Sequence, residues 1–151
     1  MIVNRQRGIR IRTQSLRRFT ASAMNLLHLP ADSLTICFVT DGVMARWNQT
    51  YRGKDRSTDV LSFPSGASGR QTNPGKRGNR KNDPNAGYLG DIAISPRIAR
   101  NNALRFGRTL DDEMRILILH GILHLMGYDH ETDTGQMERR ERRLRRELGL
   151  A

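Results

Sequence analysis

Met114-Arg115-Ile116-Leu117-Ile118-Leu119-His120-Gly121-Ile122-Leu123-His124-Leu125-Met126, followed by Gly127-Tyr128-Asp129-His130, is the stretch around which the rest of the chain has to be arranged. Between Met114 and Met126 the apolar residues fall on nearly every side of a helix, so this helix is expected to be buried all round. Thr109 followed by Asp112 offers a capped start, and Gly127 is placed to end the helix in a left-handed conformation. Helical residues four apart differ by roughly 40° in direction and about 6 Å in height. His120 and His124 therefore project from one face on adjacent turns. Gly127 lets the chain turn sharply, so that His130, three residues later, comes back toward the same point.

Three neutral nitrogen ligands with a fourth position open are the pattern of catalytic zinc, whereas structural zinc sites are closed by four protein ligands, commonly several cysteines. The chain has one cysteine, Cys37, so a cysteine-rich site is ruled out. Ordinary hydrogen-bonded histidines are the competing reading. Three of the chain's four histidines within eleven residues, at ligand spacing on a buried helix and the turn that follows it, favour a metal. His28, the fourth, follows a helix without a partner motif and reads as structural or exposed. The spacing also matches the zinc-protease pattern H-E-x-x-H-x-x-G-x-x-H, but Gly121 stands where those enzymes keep the glutamate that serves as general base. Peptide hydrolysis thereby loses its proton acceptor.

Outward from this helix, 151 residues suffice for one domain with a hydrophobic core. Cys37 lies in Leu34-Thr35-Ile36-Cys37-Phe38-Val39 and reads as a small buried hydrophobe rather than a reactive thiol. With no internal disulfide possible, a reducing intracellular setting is expected. No apolar run is long enough to span a membrane, and the charged-then-apolar opening of a secretory signal is missing. A formal charge of +11 and a pI of about 11.2 point to a polyanionic partner, nucleic acid first among them.

Residues 1–31 contain no acid and carry Arg5, Arg7, Arg10, Arg12, Arg17 and Arg18, the composition of an organelle transit peptide. Leu16, Phe19, Ala23, Met24 and Leu27 recur at helical spacing, which favours a folded start instead: a strand near Ile2–Asn4, then a helix near Thr13–Leu27 ended by Pro30. Strands are expected over Leu34–Thr40, Asp59–Phe63 and Tyr88–Ile94. Helices are expected over Val43–Thr50, from a Ser95 cap to Leu104, and over Asp133–Leu148. In the last of these, Met137, Leu144 and Leu148 form a stripe beneath many arginines, with Glu138, Glu141 and Glu147 as relief on a solvated face. Residues 65–87 are rich in Gly, Asn, Pro, Lys and Arg, and read as a long, basic, flexible insertion.

The chain resembles the YbeY family of bacterial ribosomal-RNA maturation endoribonucleases. Three blocks carry the resemblance: Asn48-Gln49-Thr50-Tyr51-Arg52-Gly53-Lys54-Asp55 continuing through Thr58-Asp59-Val60-Leu61-Ser62-Phe63-Pro64; Leu89-Gly90-Asp91-Ile92-Ala93-Ile94-Ser95; and His120 to His130 with its Gly121. It implies a single α/β (α+β) domain over residues 1–151, with a small mixed four-stranded sheet flanked by about five helices. It further implies one zinc ion held by His120, His124 and His130. The implied activity is cleavage of single-stranded RNA in 3′-end maturation of the small-subunit ribosomal RNA and in ribosome quality control. The implied partners are ribosomal RNA and the small ribosomal subunit with its proteins, in the cytoplasm, with neither DNA nor a membrane expected. Arg52 matches the family's functionally important arginine.

The residue chemistry is compatible. Zinc lowers the pKa of bound water and polarises a phosphoryl oxygen, and a positioned arginine stabilises charge on the equatorial oxygens. Arg52 is the candidate for that catalytic role and for substrate binding, with Lys54 a weaker phosphate-binding candidate. Asp55, Asp59 and Asp91 read as turn or pairing residues, while Asp129 or Glu131 could hold a ligand histidine or shuttle a proton. Two alternatives fit the same residues: a non-catalytic RNA-binding assembly factor with a structural metal, and a small-molecule or peptide metallohydrolase.

Overall fold

The alternation of buried Leu34, Ile36 and Phe38 with half-buried Thr35 and Cys37 makes the central strand two-faced, and each face collects its own helices. The computed structural model describes residues 1–54, 58–65, 87–129 and 132–150. Most of the basic insertion, together with Asp55, His130 and Glu131, lies outside the described residues.

In chain order the elements are β1 (Ile2–Asn4), α1 (Thr13–Leu26), β2 (Leu34–Phe38), α2 (Asp41–Arg52), β3 (Val60–Pro64), β4 (Gly90–Ile94), α3 (Pro96–Phe106), α4 (Leu110–Leu125) and α5 (Gln136–Glu147). The four strands form one mixed sheet in the order β1-β2-β4-β3. β1, β2 and β4 are parallel, and β3 closes the edge antiparallel to β4, with Ser62 opposite Ile92 and Phe63 opposite Asp91. This is the mixed four-stranded sheet with five helices that the resemblance implied.

One sheet face presents Leu34, Ile36, Phe38, Ile92 and Ile94 to a large core shared with α1, α3, α4 and α5. The other presents Leu61 and Ala93 to Met44 of α2, with Trp47 and Phe63 packed alongside. α4 is the centre of the larger core. Ten of its sixteen residues are buried, and it packs against α1, α3, α5, β3 and β4. Its one buried acid, Glu113, is neutralised by Arg108 at 2.9 Å.

Side chains that fold back on the backbone set several boundaries differently from apolar periodicity. Thr40 accepts from the Val43 amide and Gly53 closes the helix at φ 68°, so α2 runs from Asp41 to Arg52 instead of 43–50. Asp133 accepts from the amides of Gly135 and Met137, so α5 begins at Gln136, not at Asp133. The caps read from sequence at Ser95 and Thr109 stand where expected, accepting from Ile98 and Asp112. The charge-rich first residues do fold, as β1 and α1. Among the described residues no helix is long and apolar enough to cross a membrane.

Candidate metal centre

α4 is covered on almost every side, and the two histidines sit where that cover thins. His120 and His124 are half-buried, while Leu119, Gly121, Ile122 and Leu123 between and beside them are buried. Their Nε2 atoms face each other at 3.0 Å, with ring centroids 4.6 Å apart and planes at 77°. Bonds of about 2.0–2.1 Å in a tetrahedral zinc site put two ligating nitrogens roughly 3.3 Å apart. The pair is thus already close to the separation that one ion requires.

The orientation of His120 is not left to its own helix. Its Nδ1 lies 3.1 Å from Oε1 of Glu141, on α5, whose other oxygen is 3.5 Å from Arg145. With the Nδ1 proton directed at this carboxylate, the lone pair of Nε2 points toward His124. A carboxylate behind a histidine is the usual outer support of a metal ligand, because it fixes both tautomer and ring plane. Burial alone pushes the Glu141 carboxyl up. The hydrogen bond from His120 and the charges of His120, Arg145 and His124 outweigh that, and its pKa is lowered from 4.5. Glu141 was expected on a solvated face. It is instead one of the less exposed acids, at 14% of its side-chain surface, because α5 turns that side onto α4.

Gly121 acquires a physical reason for being glycine. A Cβ built there would stand 2.7 Å from Cδ1 of Ile92 and 3.1 Å from its two γ-carbons, and Ile92 is fully buried. Any side chain at this position, the protease glutamate included, requires Ile92 to shift in the core. Ser62 of β3 donates to the Gly121 carbonyl at 3.3 Å, which fastens the edge strand to the histidine helix.

Arg52 and Lys54 are exposed, at and just beyond the end of α2. The end of α2 is anchored on β3 through Tyr51 and Trp47, whose rings meet Phe63 edge-on at 5.0 and 6.0 Å. Phe63 and Ser62 are neighbours on opposite faces of β3. The edge strand thus links the Arg52 end of α2, on one side, to the histidine helix on the other. Asp59 accepts from Asn102 of α3 at 3.1 Å, tying the approach to β3 to that helix, and Asp91 accepts from the Tyr88 hydroxyl just ahead of β4. The Asp129 carbonyl accepts from Thr132 and Asp133 in the turn before α5. His28, exposed at φ 57°, terminates α1. The expected third ligand, His130, lies outside the described residues, and among the described residues no group of three potential ligands converges on one point.

A family model described as Endoribonuclease YbeY matches residues 1–149. Curated relatives bearing the name Endoribonuclease YbeY include one from Koribacter versatilis, 37% identical over 99% of this chain and 86% of its own length. Another, from Aquifex aeolicus, is 35% identical over 89% of this chain and 80% of its own length. A third, from Solibacter usitatus, is 46% identical over 73% of this chain, the match spanning 62% of that relative. Among solved structures, a solution structure of a Thermotoga maritima protein superposes with a TM-score of 0.58 at 25% identity, covering 98% of this chain and 89% of that one.

Proposed function

Since the chain belongs to the YbeY endoribonuclease family, we propose that it is a zinc-dependent endoribonuclease that cuts single-stranded RNA during 3′-end maturation of the small-subunit ribosomal RNA and in ribosome quality control. The observation that carries the reading is the relay Arg145–Glu141–His120–His124, in which a half-buried carboxylate aims one imidazole at the next. Ordinary core histidines do not need such support; metal ligands commonly have it.

In this reading His120, His124 and His130 hold one zinc ion. When bound, zinc supplies Lewis acidity and brings the pKa of water toward neutrality. Glu141 keeps the Nδ1 proton on His120 and leaves Nε2 as donor to the metal. Arg52 binds the scissile phosphate and stabilises the negative charge that grows on its equatorial oxygens, with Lys54 as an additional phosphate contact. Gly121 leaves no carboxylate at the position used in peptide hydrolysis, which directs the site away from peptides. The excess positive charge of +11 suits ribosomal RNA and the small subunit as partners, in the cytoplasm where ribosomes assemble.

A second reading, a non-catalytic RNA-binding assembly factor with a structural metal, draws support from the same missing carboxylate at Gly121. Metal content and cleavage of a small-subunit ribosomal RNA fragment, measured on one preparation with and without chelator, decide between the two. Cleavage that is lost with the metal and in His124→Ala supports the nuclease. RNA binding without cleavage, in fully metallated protein, supports the assembly factor.

A further inference from the structure

A groove of about 860 Å³ opens between the start of α1, the first turns of α4 and the end of α5, away from the histidine pair. That volume is within the range of small-molecule and cofactor pockets. Its lining includes Arg12, Arg18 and Arg115 against a single acid, Glu147. Arg115 forms an ordered part of the wall. Its guanidinium is held by Asp111 at 2.8 Å and by the Ser15 hydroxyl at 2.7 Å, and lies 5.6 Å from the centre of the Phe19 ring. Arg12 and Arg18 are exposed, and among the described residues neither makes an ion pair. Two uncompensated cations and a fixed third converge on one concave surface.

Arg115 and His120 are five residues apart on α4, about 7.5 Å along its axis but about 140° around it, so the groove and the histidine pair open on different sides of this helix, Arg115 toward Ser15 of α1 and His120 toward Glu141 of α5.

We propose that this groove is a second subsite for single-stranded RNA, binding backbone phosphates of a long strand at a distance from the cleaved bond. The assignment rests on the ribonuclease reading for its choice of polyanion. Arg12 and Arg18 contact phosphates, Arg115 preserves the shape of the wall, and Glu147 opposes binding at the rim. The contacts are with the backbone, so they add affinity for longer strands without sequence preference.

The test is RNA binding by fluorescence anisotropy across a salt series, using the full chain with a long single-stranded oligonucleotide, alongside cleavage of a dinucleotide too short to reach the groove. The double variant Arg12→Ala/Arg18→Ala is expected to bind the long strand on the order of tenfold more weakly. Its slope of log affinity against log salt should be shallower by about 1.4, two phosphates at about 0.7 each. Dinucleotide cleavage should stay at the wild-type level. Glu147→Gln should tighten long-strand binding, which a general loss of folding cannot mimic. Unchanged affinity and slope in the double variant, with wild-type cleavage intact, overturn the groove and leave the nuclease standing. Long-strand binding that responds to both changes in a protein that never cleaves supports the groove and overturns the nuclease. An acidic peptide that binds through Arg12 and Arg18 while RNA affinity ignores both changes overturns the RNA assignment in favour of a protein partner.

Discussion

Glu141 on α5 sits 3.1 Å from Nδ1 of His120 on α4, so the direction of a candidate metal ligand is set by a residue 21 positions further along the chain. Replacing Glu141 with glutamine keeps the size but not the charge, and its amide can present a donor to Nδ1. Metal affinity is expected to fall by about ten- to a hundredfold, with the fold retained by circular dichroism. Competition against a chromophoric chelator measures it. Equal affinity in wild type and Glu141→Gln would mean that the carboxylate merely pairs with a surface histidine.

Gly121 faces Ile92 so closely that a side chain there must displace it. Gly121→Ala gains about 1 kcal/mol of helix propensity and loses about 1–3 kcal/mol to overpacking, so a modest net destabilisation is expected. Gly121→Glu adds a buried, unpaired carboxylate and should cost more than about 3 kcal/mol. Urea unfolding measures both. A Gly121→Glu protein as stable as wild type would show that this helix can leave the sheet. Restoring the protease glutamate is not expected to create peptidase activity, since the fold gives its side chain no place beside the histidines.

Arg52→Ala, on the proposed role, should lower kcat for RNA cleavage by about 10²–10³, the usual cost of losing one donor to developing charge. Arg52→Lys should recover only part of this, because a single ammonium cannot reproduce a two-pronged guanidinium contact. Lys54→Ala should act mainly on KM, as expected of a phosphate contact made equally in ground and transition states. Steady-state kinetics on a single-stranded substrate separate the two. A kcat unaffected by Arg52→Ala removes that residue from the chemistry.

Cys37 is half-buried between Arg5 and Asp91. Burial, the largest effect, raises its thiol above 9.0; Arg5 opposes this, and Asp91 adds to it. A raised pKa leaves less thiolate at pH 8, so alkylation by iodoacetamide should be slower than for a free cysteine and should accelerate only as pH climbs above 9. The rate against pH is the measurement. Rapid alkylation at neutral pH would point to a reactive thiol.

Much of the fold was legible because it depends on local patterns. The all-round apolarity of Met114–Met126 identified the central helix, and α4 is buried on that account. Ser95 and Thr109 were readable as caps, since a short hydroxyl side chain bonds an amide only three residues away. The stripe from Leu16 to Met24 separated a folded α1 from a transit peptide. Boundaries were less legible where a side chain reached back onto the chain. Asp133 delays α5, and Thr40 advances α2, through hydrogen bonds that apolar spacing does not register.

The sequence by itself determined that His120 and His124 share a helix face, since four residues make little more than one turn whatever surrounds them. It also determined, through the three blocks, the family. Only the tertiary structure decided what stands behind His120, why position 121 is glycine, and which arginines share a groove. Glu141, Ile92 and Arg115 meet their partners across distances of 21 to 100 residues. Local periodicity has no term for such pairs. They exist because burying α4 forces α1, α5 and β4 against it at one register, and that register brings Glu141 to a histidine instead of to water.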